Sequence, residues 1–81
     1  MSDEATIKAP LPGTFHRRSS PEADFYVSEG GRVEAGDVVG LIEVMKTYYE
    51  VRAEAAGVVN RFLVENGDPV EVGQDIISLS T

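Results

Sequence analysis

The amine of Lys46 is the side chain here best placed to do chemistry. Only two lysines occur, Lys8 and Lys46, and Lys46 stands between Met45 and Thr47 in a stretch that has no glycine from Leu41 to Ala56. A tight hairpin turn usually takes Asn-Gly or Asp-Gly. A bulky apolar residue beside an amine reads instead as a surface that a partner recognises, rather than as one more solvated turn charge. The other reactive groups offer less. His16 is the single histidine, and without a second one it reads as a polar strand-end residue, not a metal ligand or general base. Ser19 and Ser20 have no histidine at a spacing that suggests a nucleophile-base pair. Arg17 and Arg18 read as a solvated pair. There is no cysteine, which excludes disulfides, zinc-thiolate centres and thiol redox chemistry.

The elements that present Lys46 are expected to be strands. Gly or Pro interrupts the chain from Pro10 to Gly73 too often for helices. Between the breaks lie Thr6 to Lys8, Thr14 to His16, Asp37 to Met45, Tyr48 to Glu54, Val58 to Val64 and Asp75 to Ser80, most of them rich in β-branched or aromatic residues. Gly36-Asp37, Asn66-Gly67-Asp68 and Gly73-Gln74 supply the turns. Tyr48 and Tyr49 must point to opposite faces of a strand, so one is expected in the core and the other on the surface.

An internal repeat organises these strands. Phe25, Val27, Gly30, Val33, Glu34 and Gly36 recur as Phe62, Val64, Gly67, Val70, Glu71 and Gly73, each pair 37 positions apart. Upstream the spacing is wider: Ala9 and Gly13 match Ala53 and Gly57, which lie 44 positions on. The first half therefore carries an excess of seven residues between Phe15 and Phe25. That excess predicts a protruding loop over residues 17–24, since the second half joins Val59 to Phe62 through Asn60 and Arg61 alone. Two half-domains of about four strands, each too small to bury a face alone, predict a flattened all-β barrel of two four-stranded antiparallel sheets with pseudo-two-fold symmetry. The halves join near Lys46, which is placed at a hairpin tip at one pole, its repeat equivalent falling at the free chain end.

Length and charge set outer bounds. Eighty-one residues make one domain: residues 1–5 read as a flexible N-terminus and 6–81 as the barrel. Seven Lys+Arg against 14 Asp+Glu leave a net charge of -7, which disfavours nucleic acid and anionic membranes as partners. No apolar run approaches a membrane span, and Met1 to Ala5 has no signal-peptide pattern, so the cytoplasm is the expected compartment.

The segment Gly40-Leu41-Ile42-Glu43-Val44-Met45-Lys46 resembles the attachment motif of biotin carboxyl carrier domains, whose usual core is Glu-Ala-Met-Lys followed by Met. Ala9-Pro10, Gly13-Thr14-Phe15, Val64-Glu65-Asn66-Gly67 and Pro69-Val70-Glu71 fall in that family's order, so the likeness runs from about Ile7 to Leu79. The extra loop is similar to the thumb of bacterial acetyl-CoA carboxylase carriers, with Ser20-Pro21-Glu22-Ala23 matching the usual Ser-Pro-Asp-Ala. Three positions depart from the pattern: Val44 replaces alanine, Thr47 replaces methionine, and Arg18-Ser19 stands where Thr-Pro is common.

The resemblance implies the hammerhead barrel of biotinyl and lipoyl carriers, and a carrier rather than an enzyme. Biotin would be joined as an amide to Lys46 by a biotin protein ligase that reads the hairpin of Glu43, Val44, Met45 and Thr47. A biotin carboxylase would load a carboxyl group and a carboxyltransferase would pass it to an acceptor, acetyl-CoA or another acyl-CoA. The loop residues Arg18, Ser19, Ser20, Pro21, Glu22 and Ala23 would handle the cofactor. Two alternatives remain open: a lipoyl carrier of a 2-oxoacid dehydrogenase-type complex, which shares the barrel and the central lysine but commonly has Asp before that lysine and no thumb, and an unmodified barrel used for protein contacts.

Overall fold

The computed structural model describes residues 4–81 and contains, in chain order, β1 (Glu4–Lys8), β2 (Gly13–His16), β3 (Arg32–Val33), β4 (Val38–Val44), β5 (Thr47–Arg52), β6 (Gly57–Phe62), β7 (Pro69–Val70) and β8 (Asp75–Ser80). The six strands expected from the sequence are present with ends shifted by a few residues. The two-residue strands β3 and β7, too short to carry an alternating pattern, were visible only through the repeat. β1 begins at Glu4 and pairs Glu4 with Ser80 and Ala5 with Leu79. The ordered barrel thus starts two residues before the boundary expected at Thr6, and the rest of the expected N-terminal tail, residues 1–3, lies outside the described residues.

Two four-stranded antiparallel sheets form, in the orders β1-β8-β6-β3 and β5-β4-β2-β7. The repeat maps one sheet onto the other: β1 corresponds to β5, β2 to β6, β3 to β7 and β4 to β8. Each sheet takes two strands from each half, so the halves interlock instead of stacking as two separately made sheets. The reason is hydrogen bonding, because β4 can satisfy its backbone only by pairing with β2 on one side and β5 on the other.

Loop contacts repeat the same exchange. Gly36 N–H donates to Ala53 O at 2.8 Å and Gly73 N–H to Ala9 O at 2.8 Å; Gly30 N–H reaches Val59 O at 2.7 Å and Gly67 N–H reaches Phe15 O at 2.7 Å. Both glycine pairs have φ near +90°, from +82° at Gly73 to +93° at Gly36 and Gly67. They occupy the third position of four-residue turns, where type II geometry demands positive φ. In three of these turns the last residue's side chain caps the first: Asp37 accepts from Glu34 N–H, Asp68 from Glu65 N–H and Gln74 from Glu71 N–H.

Phe15, Val33, Val39, Ile42, Ile76 and Ile77 are fully buried between the sheets. Burial of such aliphatic side chains, at about 1.5–3 kcal/mol each, is the main favourable term in a chain without cross-links. Phe15 needs room across the sheet: a Cβ on Gly40 would lie 2.5 Å from its ring. That glycine lets the aromatic anchor sit directly ahead of the extra loop.

Candidate functional site

β4 and β5 pair up to Val44 opposite Thr47, leaving Met45 and Lys46 as a two-residue loop. Their φ angles are +51° and +66°, which is the type I′ pattern that matches the twist of a hairpin. Neither residue is glycine, so the left-handed backbone costs about 1–2 kcal/mol per residue. The strain lifts both side chains off the barrel. Met45 is 93% exposed, and Lys46 is exposed with no carboxylate partner among the described residues. Val44 is half-buried against the core and Thr47 is exposed. Glu43 faces away from the core, and its Oε1 lies 2.9 Å from His16 Nε2 on β2. The His16 ring in turn sits 6.2 Å from the ring of Tyr48 on β5. One row of side chains on the outer face thus joins three strands just behind the tip.

Tyr48 and Tyr49 are 56% and 45% exposed, which corrects the expectation that one enters the core. Tyr49 pairs with the fully buried Ile42, but it lies on β5, an edge strand of its sheet, and stays half in solvent.

The extra loop leaves the sheet after His16 and is tied at its base. Tyr26 N–H donates to Arg17 O at 2.8 Å, and Arg17 N–H donates to Asn66 Oδ1 at 2.7 Å. The Arg17 guanidinium lies between two rings, 4.0 Å from the centroid of Phe25 and 3.8 Å from that of Phe62. Arg17 is therefore a packed clasp between loop and barrel, and the reading of a solvated arginine pair fails for it. No sequence signal announced this, because Phe62 reaches Arg17 only after β6 has paired. Within the loop, Ala23 N–H bonds Ser20 O at 3.0 Å, while Ser19, Ser20, Pro21 and Glu22 are exposed.

Between loop and hairpin runs a cleft of about 280 Å3. Arg18, Ser19, Ser20 and Pro21 form its loop wall, and His16, Tyr48 and Asn66 its barrel wall. The fold thus brings the Arg18 to Pro21 stretch beside β5, the strand that follows Lys46. Glu22 and Ala23 do not line the cleft. Sequence reasoning missed Asn66, whose side chain holds the loop's neck from a turn in the other half. Its one visible signal was a place in the Asn-Gly turn.

Residues 5–79 match the biotin/lipoyl family model, described as biotin-requiring enzyme. The chain belongs to that family. Curated relatives include the biotin carboxyl carrier proteins of acetyl-CoA carboxylase of Pseudomonas aeruginosa, 37% identical over 73 residues that make up 90% of this chain and 47% of the relative, and of Haemophilus influenzae, 38% identical over 79 residues, 94% of this chain and 51% of the relative. The chain spans about half the length of these relatives. Solved structures with the same fold include the urea carboxylase of Kluyveromyces lactis, with TM-score 0.77, 33% identity, and 98% of this chain against 6% of that one. A single-chain, multi-domain long-chain acyl-CoA carboxylase gives TM-score 0.80 at 25% identity, over 99% of this chain and 7% of that one. In both large proteins a barrel of this size is a small part. Among the described residues, no helix is long and apolar enough to cross a membrane.

Proposed function

We propose that the chain is a biotin carboxyl carrier, modified on Lys46, that takes a carboxyl group from a biotin carboxylase to a carboxyltransferase, with an acyl-CoA such as acetyl-CoA as acceptor. The observation that carries this reading is the strained, fully protruding Met45-Lys46 turn. Left-handed, non-glycine backbone at an exposed tip is strain of the kind that collects at functional sites. The names of the relatives support the substrate class.

The residues present fit biotin. The Lys46 amine is exposed and without a carboxylate partner among the described residues, so a ligase can acylate it without breaking an ion pair; the amide removes its positive charge. When bound, biotin supplies a ureido nitrogen able to accept a carboxyl group. The chain's own part is positional. The type I′ turn holds the attachment atom clear of the barrel, exposed Met45 and Thr47 flank it as the surface a biotin protein ligase reads, and Arg18, Ser19 and Ser20 of the loop stand beside β5, the strand that follows it. The rest of the barrel is non-catalytic and raises effective concentration: a tethered group meets two active sites in turn as a nearly intramolecular reactant. Met45 before the lysine and the extra loop favour biotin over lipoate.

Intact mass and peptide mapping after co-expression with a biotin ligase test the reading. One biotinyl group on Lys46, absent from K46R, is the expected result. Recovery on Lys8, or incorporation that survives K46R, overturns the site; incorporation of lipoate alone overturns the cofactor.

A further inference from the structure

We propose that Asn66 is a modification site: attack by the Gly67 nitrogen converts its side-chain amide to an acid, and the neck of the inserted loop sets the rate. The inference is independent of what Lys46 carries.

The chain has two asparagines, Asn60 and Asn66, and they are chemically unlike. Asn66 is followed by glycine, which has no Cβ to keep its nitrogen from the asparagine Cγ, whereas Asn60 is followed by Arg61. In the reaction the Gly67 nitrogen bonds to Asn66 Cγ, the Cγ–Nδ2 bond breaks, and ammonia leaves with the Gly67 proton. Water then opens the cyclic imide. Cleavage at Cγ gives aspartate with a normal main chain; cleavage at the Asn66 carbonyl carbon gives isoaspartate, whose main chain runs through Cβ and Cγ. Asn66 and Gly67 are both exposed, so water and base reach them.

Bonds to the neighbouring strand and loop hold the reaction back. Gly67 N–H, the proton that must leave, donates to Phe15 O at 2.7 Å, and Asn66 Oδ1 accepts from Arg17 N–H at 2.7 Å. Phe15 N–H donates to Asp68 O at 2.8 Å and closes the turn against β2. Ring closure needs the Gly67 nitrogen free and the Asn66 side chain turned toward it, so the bonds to Phe15 and Arg17 have to open. Arg17 is itself held between Phe25 and Phe62 at the base of the loop. Loosening that clasp frees the nucleophile and the amide together.

The repeat indicates how the two products behave. Glu29 stands 37 positions before Asn66, and its Oε2 accepts the Phe62 N–H at the end of β6 at 3.1 Å. A carboxylate thus fills the corresponding role in the other half, so aspartate at position 66 keeps the neck closed. Isoaspartate adds a carbon to the main chain inside a turn whose Gly67 has φ +93°. That withdraws the acceptor from Arg17 and leaves the neck open.

The test incubates the full chain at mildly alkaline pH and follows Asn66 by peptide mapping, with an isoaspartyl methyltransferase labelling one product. Hydrogen exchange of the Gly67 amide reports opening of the neck directly. Asn66 should convert slowest in the folded parent and fastest in urea. Folded R17A should react about tenfold faster than the parent, with R17K between them, because the rate follows the open population. Gly67 exchange should rise in the same order. Circular dichroism verifies folding of the variants, and R17K carries the comparison if R17A is unfolded. N66D should keep the Arg17 amide protected from exchange. Conversion of Asn60 as fast as that of Asn66, or none in urea, overturns the site; equal rates in the parent and the folded arginine variants, or a folded parent that reacts as fast as the unfolded chain, overturn the control by the neck.

Discussion

Met45 and Lys46 sit in a turn whose backbone suits Asn-Gly, and the sequence supplies neither residue. The double substitution M45N/K46G should therefore raise stability by about 1 kcal/mol while removing the acceptor amine; chemical denaturation and biotin incorporation read the two effects from one protein. M45D addresses recognition alone. Met45 touches so little of the barrel that the thermal midpoint should move by no more than a degree or two, while modification of Lys46 falls. If M45D unfolds the domain, Met45 has a packing role that its exposure does not reveal. Arg17 is the opposite case, a charged residue whose planar group fills the gap between Phe25 and Phe62. R17A should cost about 1–2 kcal/mol, and R17K should recover less than half of it, since an ammonium cannot stack on two rings.

The extra loop is an insertion into what the second half keeps as one strand. β6 runs from Gly57 to Phe62 through a bulge between Val59 and Arg61, whereas β2 stops at His16. Deleting residues 18–24 joins His16-Arg17 directly to Phe25, which matches in length the Asn60-Arg61-Phe62 connection that the second half already folds. The shortened barrel should keep its β-sheet circular dichroism and its modification by ligase, because loop length costs stability only slowly. Carboxyl transfer with a cognate enzyme should drop. A collapsed fold would refute the insertion reading; normal transfer would leave the insertion intact and strip the loop of any part in function.

The interlocked sheets make the molecule one cooperative unit. β1 and β8 join the two ends of the described chain in antiparallel register, so separate peptides covering 4–45 and 46–81 should each lack sheet structure alone and regain it only when mixed. Ile76→Ala, which opens a cavity in the shared core, should cost about 2–5 kcal/mol. Lys8 and Asp75 link β1 to β8 across the surface, and the Lys8 ammonium, helped by the Thr6 hydroxyl, holds the Asp75 carboxyl below its ordinary range. A carboxyl lowered by folding stabilises the fold above its unfolded value and loses that effect as pH falls through the folded one. D75N should thus be slightly less stable than the parent near neutral pH, and the gap should narrow as acidification takes Asp75 below the ordinary carboxylate range. The exposure of the pair keeps the difference small and sensitive to salt.

Strand content, the repeat, the hairpin tip and the position of the loop were legible in the sequence because each depends on local pattern. Gly30, Gly36, Gly67 and Gly73 mark turns by backbone sterics alone, and a seven-residue excess between matched anchors such as Phe15 and Phe25 can go nowhere but into a loop. The Met45-Lys46 pair was conspicuous for a local reason too, since it stands where a turn wants glycine. What the sequence could not state were the pairings that cross from one half to the other: the exchange of strands between sheets, Arg17 between two rings, Glu43 turned to His16, and Asn66 at the neck of a loop almost fifty residues before it. These depend on which side chains tertiary packing brings within hydrogen-bonding or van der Waals range, and that range has no fixed relation to distance along the chain. The cleft is the clearest case, because its walls come from strands β2 and β5, the inserted loop and the turn before β7, and only the closed barrel sets them side by side.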